Sequence, residues 1–169
     1  MVQNKGLNRK YSLKEKETKA ILKKASTILG KINLTSFIKG LEIARISSED
    51  EVYILDGTPV FIGSKGEVLP TLLNKEILSK LPTITVDMGA VPYLCNGADL
   101  MAPGIVKISG EFQVGALVVV VDENFSKPLA LVKALYNVDE ILVKKQGKVA
   151  RNIHFVGDRF WKKFRLAKK

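Results

Sequence analysis

Between Glu15 and Ile32 the apolar residues Ile21, Leu22, Ala25, Ile28, Leu29 and Ile32 recur at helical spacing. They draw one stripe down a helix whose outer face carries Lys16, Lys19, Lys23 and Lys24. Ser12 with Glu15 reads as a capping box at its start, and the polar, basic residues 1–11 read as a mobile lead-in. The period then changes to two. Leu41–Ile46 alternates as a strand, and Val52–Leu55 and Val60–Ile62 flank Asp56-Gly57, a strong hairpin signal. Lys65-Gly66 begins another turn. Asn74 is placed to cap a short helix over residues 75–80, which must stop before Pro82. This pattern predicts a small α+β domain over residues 1–81.

Beyond Pro82 the chain reads mostly as strand. Ala116–Val121 is a continuous apolar run suited to burial on both faces. Polar Asp122–Lys127 turns it into the apolar Leu129–Leu135. Tyr136–Glu140 is a turn or short helix, and Ile141–Lys145 and Lys148–Val156 are expected to form a hairpin about Gln146-Gly147. Short strands with frequent turns indicate a small barrel or sandwich over residues 82–169. Trp161, with Phe160 or Phe164, is expected to close it.

The stretch Val86–Val106, VDMGAVPYLCNGADLMAPGIV, carries the most information. Asp87 can cap a short helix, Pro92 must lie near that helix's start, and Gly97 can end it in the left-handed conformation. Pro103-Gly104 fits a type II turn. Gly97, having no side chain, would let another molecule's backbone come close. A tidy αβ corner with no binding role is the plainer reading of the same residues.

The order Asp87, Gly89, Ala90, then Gly97, Ala98, Asp99, then Pro103 and Gly104 resembles the opening motif of the PUA domain. That RNA-binding module is named after pseudouridine synthases and archaeosine transglycosylases. The tail Asn152–Trp161 resembles the domain's closing strand. Upstream, the EVYILDGTPVFIG hairpin and Pro70-Thr71-Leu72 resemble the N-terminal half of the malignant T-cell-amplified sequence proteins and of ligatin. The resemblance covers most of residues 41–164. It implies an α+β pre-PUA domain over residues 1–81, followed by a mostly-β PUA pseudobarrel over residues 82–169. It also implies that RNA is gripped by the short helix, the loop after it and the last strand. Carried over by position, the RNA-binding residues are Tyr93, Asn96, Gly97, Ala98 and Asp99, with Arg151, Asn152 and His154.

Charge supports such a partner. Residues 1–45 hold 11 Lys/Arg against 3 Asp/Glu, and residues 144–169 hold 10 against 1, while the stretch between is acidic. Two basic blocks attract polyanions, because each neutralised phosphate releases counterions. Lys144, Lys145, Lys148 and Arg151 lie on the closing hairpin and would hold phosphates. The plainer reading is solvation of a hairpin and a helix face.

Catalytic chemistry is sparse. One histidine, His154, and one cysteine, Cys95, leave no metal cluster and no internal disulfide. No serine sits in a nucleophile elbow, and no phosphate loop or dinucleotide fingerprint occurs. No apolar run is long enough to cross a bilayer. The expectation is a cytoplasmic, cofactor-free, non-catalytic RNA-binding protein of translation, docking tRNA or ribosomal RNA. Its partners could include a ribosomal subunit, and two alternatives remain: a module that docks a translation factor through the acidic Glu49–Glu51 hairpin, or a targeting subunit of an RNA-modifying enzyme.

Overall fold

A computed structural model describes residue 7 and residues 9–167. The chain forms two compact units, one holding the residues up to Ile77 together with Arg159 onward, the other Leu78–Asp158. In the first, an antiparallel sheet runs in the order β1 (Tyr11–Ser12), β2 (Leu41–Arg45), β3 (Asp50–Leu55), β4 (Thr58–Ser64) and β5 (Glu67–Pro70). Asp56 and Gly57 both take positive φ, 48° and 77°, the geometry that matches hairpin twist. Helix α1 (Glu15–Leu29) lies against β5 and buries Thr18, Leu22, Ala25 and Leu29. Asn74 caps α2 (Lys75–Leu78), its Oδ1 accepting from the Ile77 amide at 3.2 Å.

The start of α1 differs from expectation. Ser12 belongs to β1, opposite Glu42, so it cannot cap. Glu17 does part of that work instead, accepting from the Lys14 amide at 2.7 Å. Of the residues expected as a mobile lead-in, Tyr11 is paired with Ile43, and residues 1–6 and 8 lie outside the described residues.

The second unit contains β6 (Thr83–Val86), α3 (Val91–Leu94), β7 (Leu100–Met101), β8 (Ile105–Ser109), β9 (Leu117–Asp122), β10 (Pro128–Ala134), α4 (Val138–Val143) and β11 (Lys148–Phe155). Its sheet runs β7-β11-β10-β9-β6-β8, with β6 and β9 parallel and the other pairs antiparallel. All six residues of β9 are buried, as its apolar run requires. The expected strand over Ile141–Lys145 is instead the end of α4, through Val143, and the start of the loop after it. Asn137 accepts from the Glu140 amide and Glu140 accepts from the Asn137 amide, each at 2.9 Å. That reciprocal cap nucleates a helix whose Val138 and Ile141 face the core.

Pro103-Gly104 also departs from the type II turn. Ala102–Gly104 is a 3-10 turn, and the absence of a side chain at Gly104 serves proximity. A Cβ there would stand 3.0 Å from the Ala90 Cβ.

The last helix, α5 (Arg159–Ala167), belongs to the first unit and not to the barrel. Arg159 donates to Asp50 at 2.8 Å, and Phe160 and Phe164 are buried. The residues expected to close the barrel, Trp161 with Phe160 or Phe164, thus lie on a helix that groups with the first unit. Most of the C-terminal basic block goes with it, and of those cations only Lys144, Lys145, Lys148 and Arg151 stay with the second unit.

Candidate nucleic-acid interface

The Val86–Val106 segment folds back on itself around a groove of about 390 Å³. One wall is the turn and helix from Asp87 to Leu94; the other is the chain from Ala98 to Gly104. Two hydrogen bonds set the walls. Asp87 Oδ1 accepts from the Ala90 amide at 2.9 Å, shaping the turn into α3, and the Asp87 amide donates to the Gly104 carbonyl at 3.0 Å. Ala90, Leu94, Leu100, Met101 and Pro103 make much of the lining apolar. Tyr93 stands on one side, 71% exposed, and Met101 on the other at 48%.

The far wall is wired to β11. Asp99 accepts from the Asn152 amide at 2.9 Å and from Lys148 Nζ at 2.6 Å. Partial burial pushes the Asp99 carboxyl up, but the Lys148 ammonium, the Asn152 amide and the nearby Arg151 charge outweigh it and hold it below the usual carboxylate range. The Ala102 amide donates to the Gly147 carbonyl at 2.9 Å, which ties the Lys144–Lys148 loop to the same wall. Lys144 Nζ lies 4.3 Å from the centre of the Tyr136 ring, a cation–π contact that steadies it. The groove thus combines an apolar cleft, an exposed aromatic ring and cations tethered beside it.

Residues 82–156 match the PUA domain, and residues 9–78 match a domain of unknown function, DUF1947. An uncharacterized protein of Methanocaldococcus jannaschii is 36% identical over 159 residues, spanning 92% of this chain and 96% of its own. This chain belongs to the PUA-domain proteins that carry a preceding DUF1947 domain. It is also similar to malignant T-cell-amplified sequence 2 of Homo sapiens, 27% identical across 90% of this chain and 96% of that protein. Translation machinery-associated protein 20 of Saccharomyces cerevisiae is 27% identical across 72% of this chain and 71% of its own. A solved PUA-domain structure from Aeropyrum pernix superposes with a TM-score of 0.80 at 26% identity, over 95% of this chain and 93% of that one.

Within the PUA unit the residues singled out from the sequence divide by exposure. Tyr93, Asn96, Ala98, Lys145, Lys148 and Arg151 are exposed, and Asp99 and Lys144 are half-buried. Asn152 is turned inward: its Nδ2 donates to the Leu94 carbonyl at 3.1 Å and the Ala98 carbonyl at 3.0 Å, and its Oδ1 is buried. It clamps α3 to β11 and offers no free side-chain donor. His154 is fully buried, with Nδ1 2.6 Å from Asp158 Oδ2, so its ring cannot reach a nucleic acid.

Gly97 requires a correction of role. Its φ of +90° fits the left-handed helix stop. The space its missing side chain leaves, however, is filled from within, since a Cβ would meet the Phe155 ring at 3.1 Å. The open surface lies on the Tyr93 and Met101 side of the motif. Met101 was the residue missed, and its place between Asp99 and Pro103 was the only signal.

Proposed function

We propose that the PUA unit binds structured RNA in translation, taking a base into the groove beside Tyr93 and its phosphates on Lys144, Lys145, Lys148 and Arg151. The observation that carries this reading is the exposed Tyr93 ring at an apolar cleft whose opposite wall is bonded to a cation-bearing loop and strand. Stacking of a base on such a ring contributes about 1–3 kcal/mol in single-strand binders. The cations position the RNA and make binding salt-dependent, while the groove discriminates. Family membership, and relatives named for the translation machinery, support tRNA or ribosomal RNA as the partner.

No bond is made or broken in this reading. Burial pushes the Cys95 thiol up and so disfavours a thiolate nucleophile. Among the described residues no group of three or more His, Cys, Asp or Glu could hold a metal ion, and no helix is long and apolar enough to cross a membrane. The rival reading, a translation factor docked on Glu49–Glu51, loses much of its charge to internal contacts. Asp50 is buried against Ser64 and Arg159, and Glu51 accepts from the Tyr53 hydroxyl at 2.8 Å.

Gel shifts of a tRNA mixture at several salt concentrations test the proposal. Replacing Lys144, Lys145 and Lys148 with glutamate is expected to weaken the low-salt complex at least about tenfold while the fold is kept. Unchanged binding by that variant, or an affinity indifferent to salt, contradicts it.

A further inference from the structure

The first unit holds a cavity that the groove reading does not use. It measures about 540 Å³ and is lined by Arg9, Tyr11, Ile43 and Arg45. In the sheet Tyr11 faces Ile43 and Ser12 faces Glu42, and Arg9, two residues before β1 begins, lines the same cavity as Arg45. Alternate residues share a face, so two guanidinium groups and one aromatic ring stand together on one side of β1 and β2. Like charges lining one cavity are unfavourable, and the described fold offsets them weakly. Arg45 has one carboxylate near it, Glu51 at 3.7 Å, and that pair is largely solvent-exposed. Glu51 also accepts from the Tyr53 hydroxyl at 2.8 Å, which divides its attention further. Tyr11 is 61% exposed, which leaves much of its ring open to a partner. Among the described residues strand β1 is an edge strand of this sheet.

We propose that this cavity is a second, separate binding site for single-stranded RNA, in which a base stacks on Tyr11 over Ile43 and flanking phosphates sit on Arg9 and Arg45. The volume lies in the ordinary range of ligand pockets, and a guanidinium fork matches phosphate oxygens two at a time. An acidic peptide would satisfy the arginines as well, but a nucleotide brings a phosphate and a flat base in every repeating unit and so answers the arginines and the Tyr11 ring together. The site stands on the DUF1947 unit and its argument is independent of the groove around Tyr93.

The probe is a fluorescein-labelled oligouridylate about ten nucleotides long, titrated by anisotropy into the full chain. Arg9→Ala with Arg45→Ala is expected to weaken binding at least about tenfold and to flatten the log–log salt slope by about 1.4, two phosphate contacts' worth for a single strand. Tyr11→Ala is expected to lose about tenfold for the oligouridylate and nothing for inorganic polyphosphate, which has no base to stack. Both losses should be equally large in a Tyr93→Ala background, which separates this site from the groove. Arg9→Lys with Arg45→Lys serves as the folding control and should keep most of the polyphosphate affinity. Ultraviolet crosslinking of a 4-thiouridine probe to the unmutated chain should label the peptide containing Tyr11. The proposal is overturned by affinities that stay within about twofold in both alanine variants. Polyglutamate binding that matches the oligouridylate and is lost with the same arginines would also overturn it, in favour of an acidic peptide.

Discussion

Substituting Gly97→Ala separates two roles for that glycine, and its cost follows from two measured features. At φ +90° an alanine pays about 1–2 kcal/mol for the left-handed backbone. Its Cβ would also lie 3.1 Å and 3.2 Å from two carbons of the Phe155 ring, where overpacking costs about 1–3 kcal/mol unless the ring gives way. Together these predict a loss of about 2–5 kcal/mol, confined to the second unit. Tryptophan fluorescence is the wrong assay, because the single tryptophan, Trp161, lies in α5 of the first unit. Amide hydrogen exchange of the fully buried β9 strand reads the second unit directly. Adding Phe155→Leu to Gly97→Ala should recover the packing share and leave the backbone share. At temperatures where Gly97→Ala remains folded, RNA affinity should stay within about twofold. A stability loss under about 0.5 kcal/mol, or an RNA defect in a fully stable variant, would refute the internal role assigned to Gly97.

Three further outcomes follow from the same contacts. Asp99 and Asp122 both have carboxyl groups held below the usual range, Asp99 by Lys148 and its neighbours against the opposing pull of burial, and Asp122 chiefly by the Phe125 amide, with those of Lys127 and Asn124. A depressed folded value stabilises above the unfolded value, about 3.9, and that stability is lost as pH falls through the folded one. Protection of β9 amides should therefore decline below about pH 4 in the unmutated chain, and Asp122→Asn should flatten that decline. Phe164→Ala empties a nearly fully buried site and should cost the first unit about 3–5 kcal/mol, read by Trp161 fluorescence in urea, with β9 exchange unchanged. Tyr93→Ala should leave both units as stable as before and weaken RNA binding by about 1–3 kcal/mol in anisotropy titrations.

Local chemistry made much of this fold legible. Asp56-Gly57 named its hairpin because both residues must reach positive φ, and Asn74 named α2 because its side-chain oxygen suits a helix's first free amides. The run ahead of Asp122 announced a strand buried on both faces. Where two local signals competed, the reading failed. Ile141–Lys145 looks like a strand by composition, but the Asn137–Glu140 exchange of hydrogen bonds starts a helix first. Pro103-Gly104 has the residues of a type II turn, yet Ala90 lies too close to Gly104 for any side chain, a reason no local pattern records. The candidate site shows the same division. Tyr93 was readable as a stacking candidate and Lys144, Lys145 and Lys148 as cations beside the last strand, though not the loop that carries them. Phe155 behind Gly97 and the grouping of α5 with residues far upstream are long-range contacts with no signature in the motif itself, and the His154–Asp158 pair, though only four residues apart, lies in a turn that the strand pattern does not record.

The central claim is that RNA enters between the Asp87–Leu94 wall and the Ala98–Gly104 wall. Amide chemical-shift mapping of the isotopically labelled chain with unlabelled tRNA tests it directly. The account predicts that the largest shifts fall on residues 88–93, 98–104 and 144–151, with β9 silent. Saturating binding that leaves those three segments unmoved would contradict it.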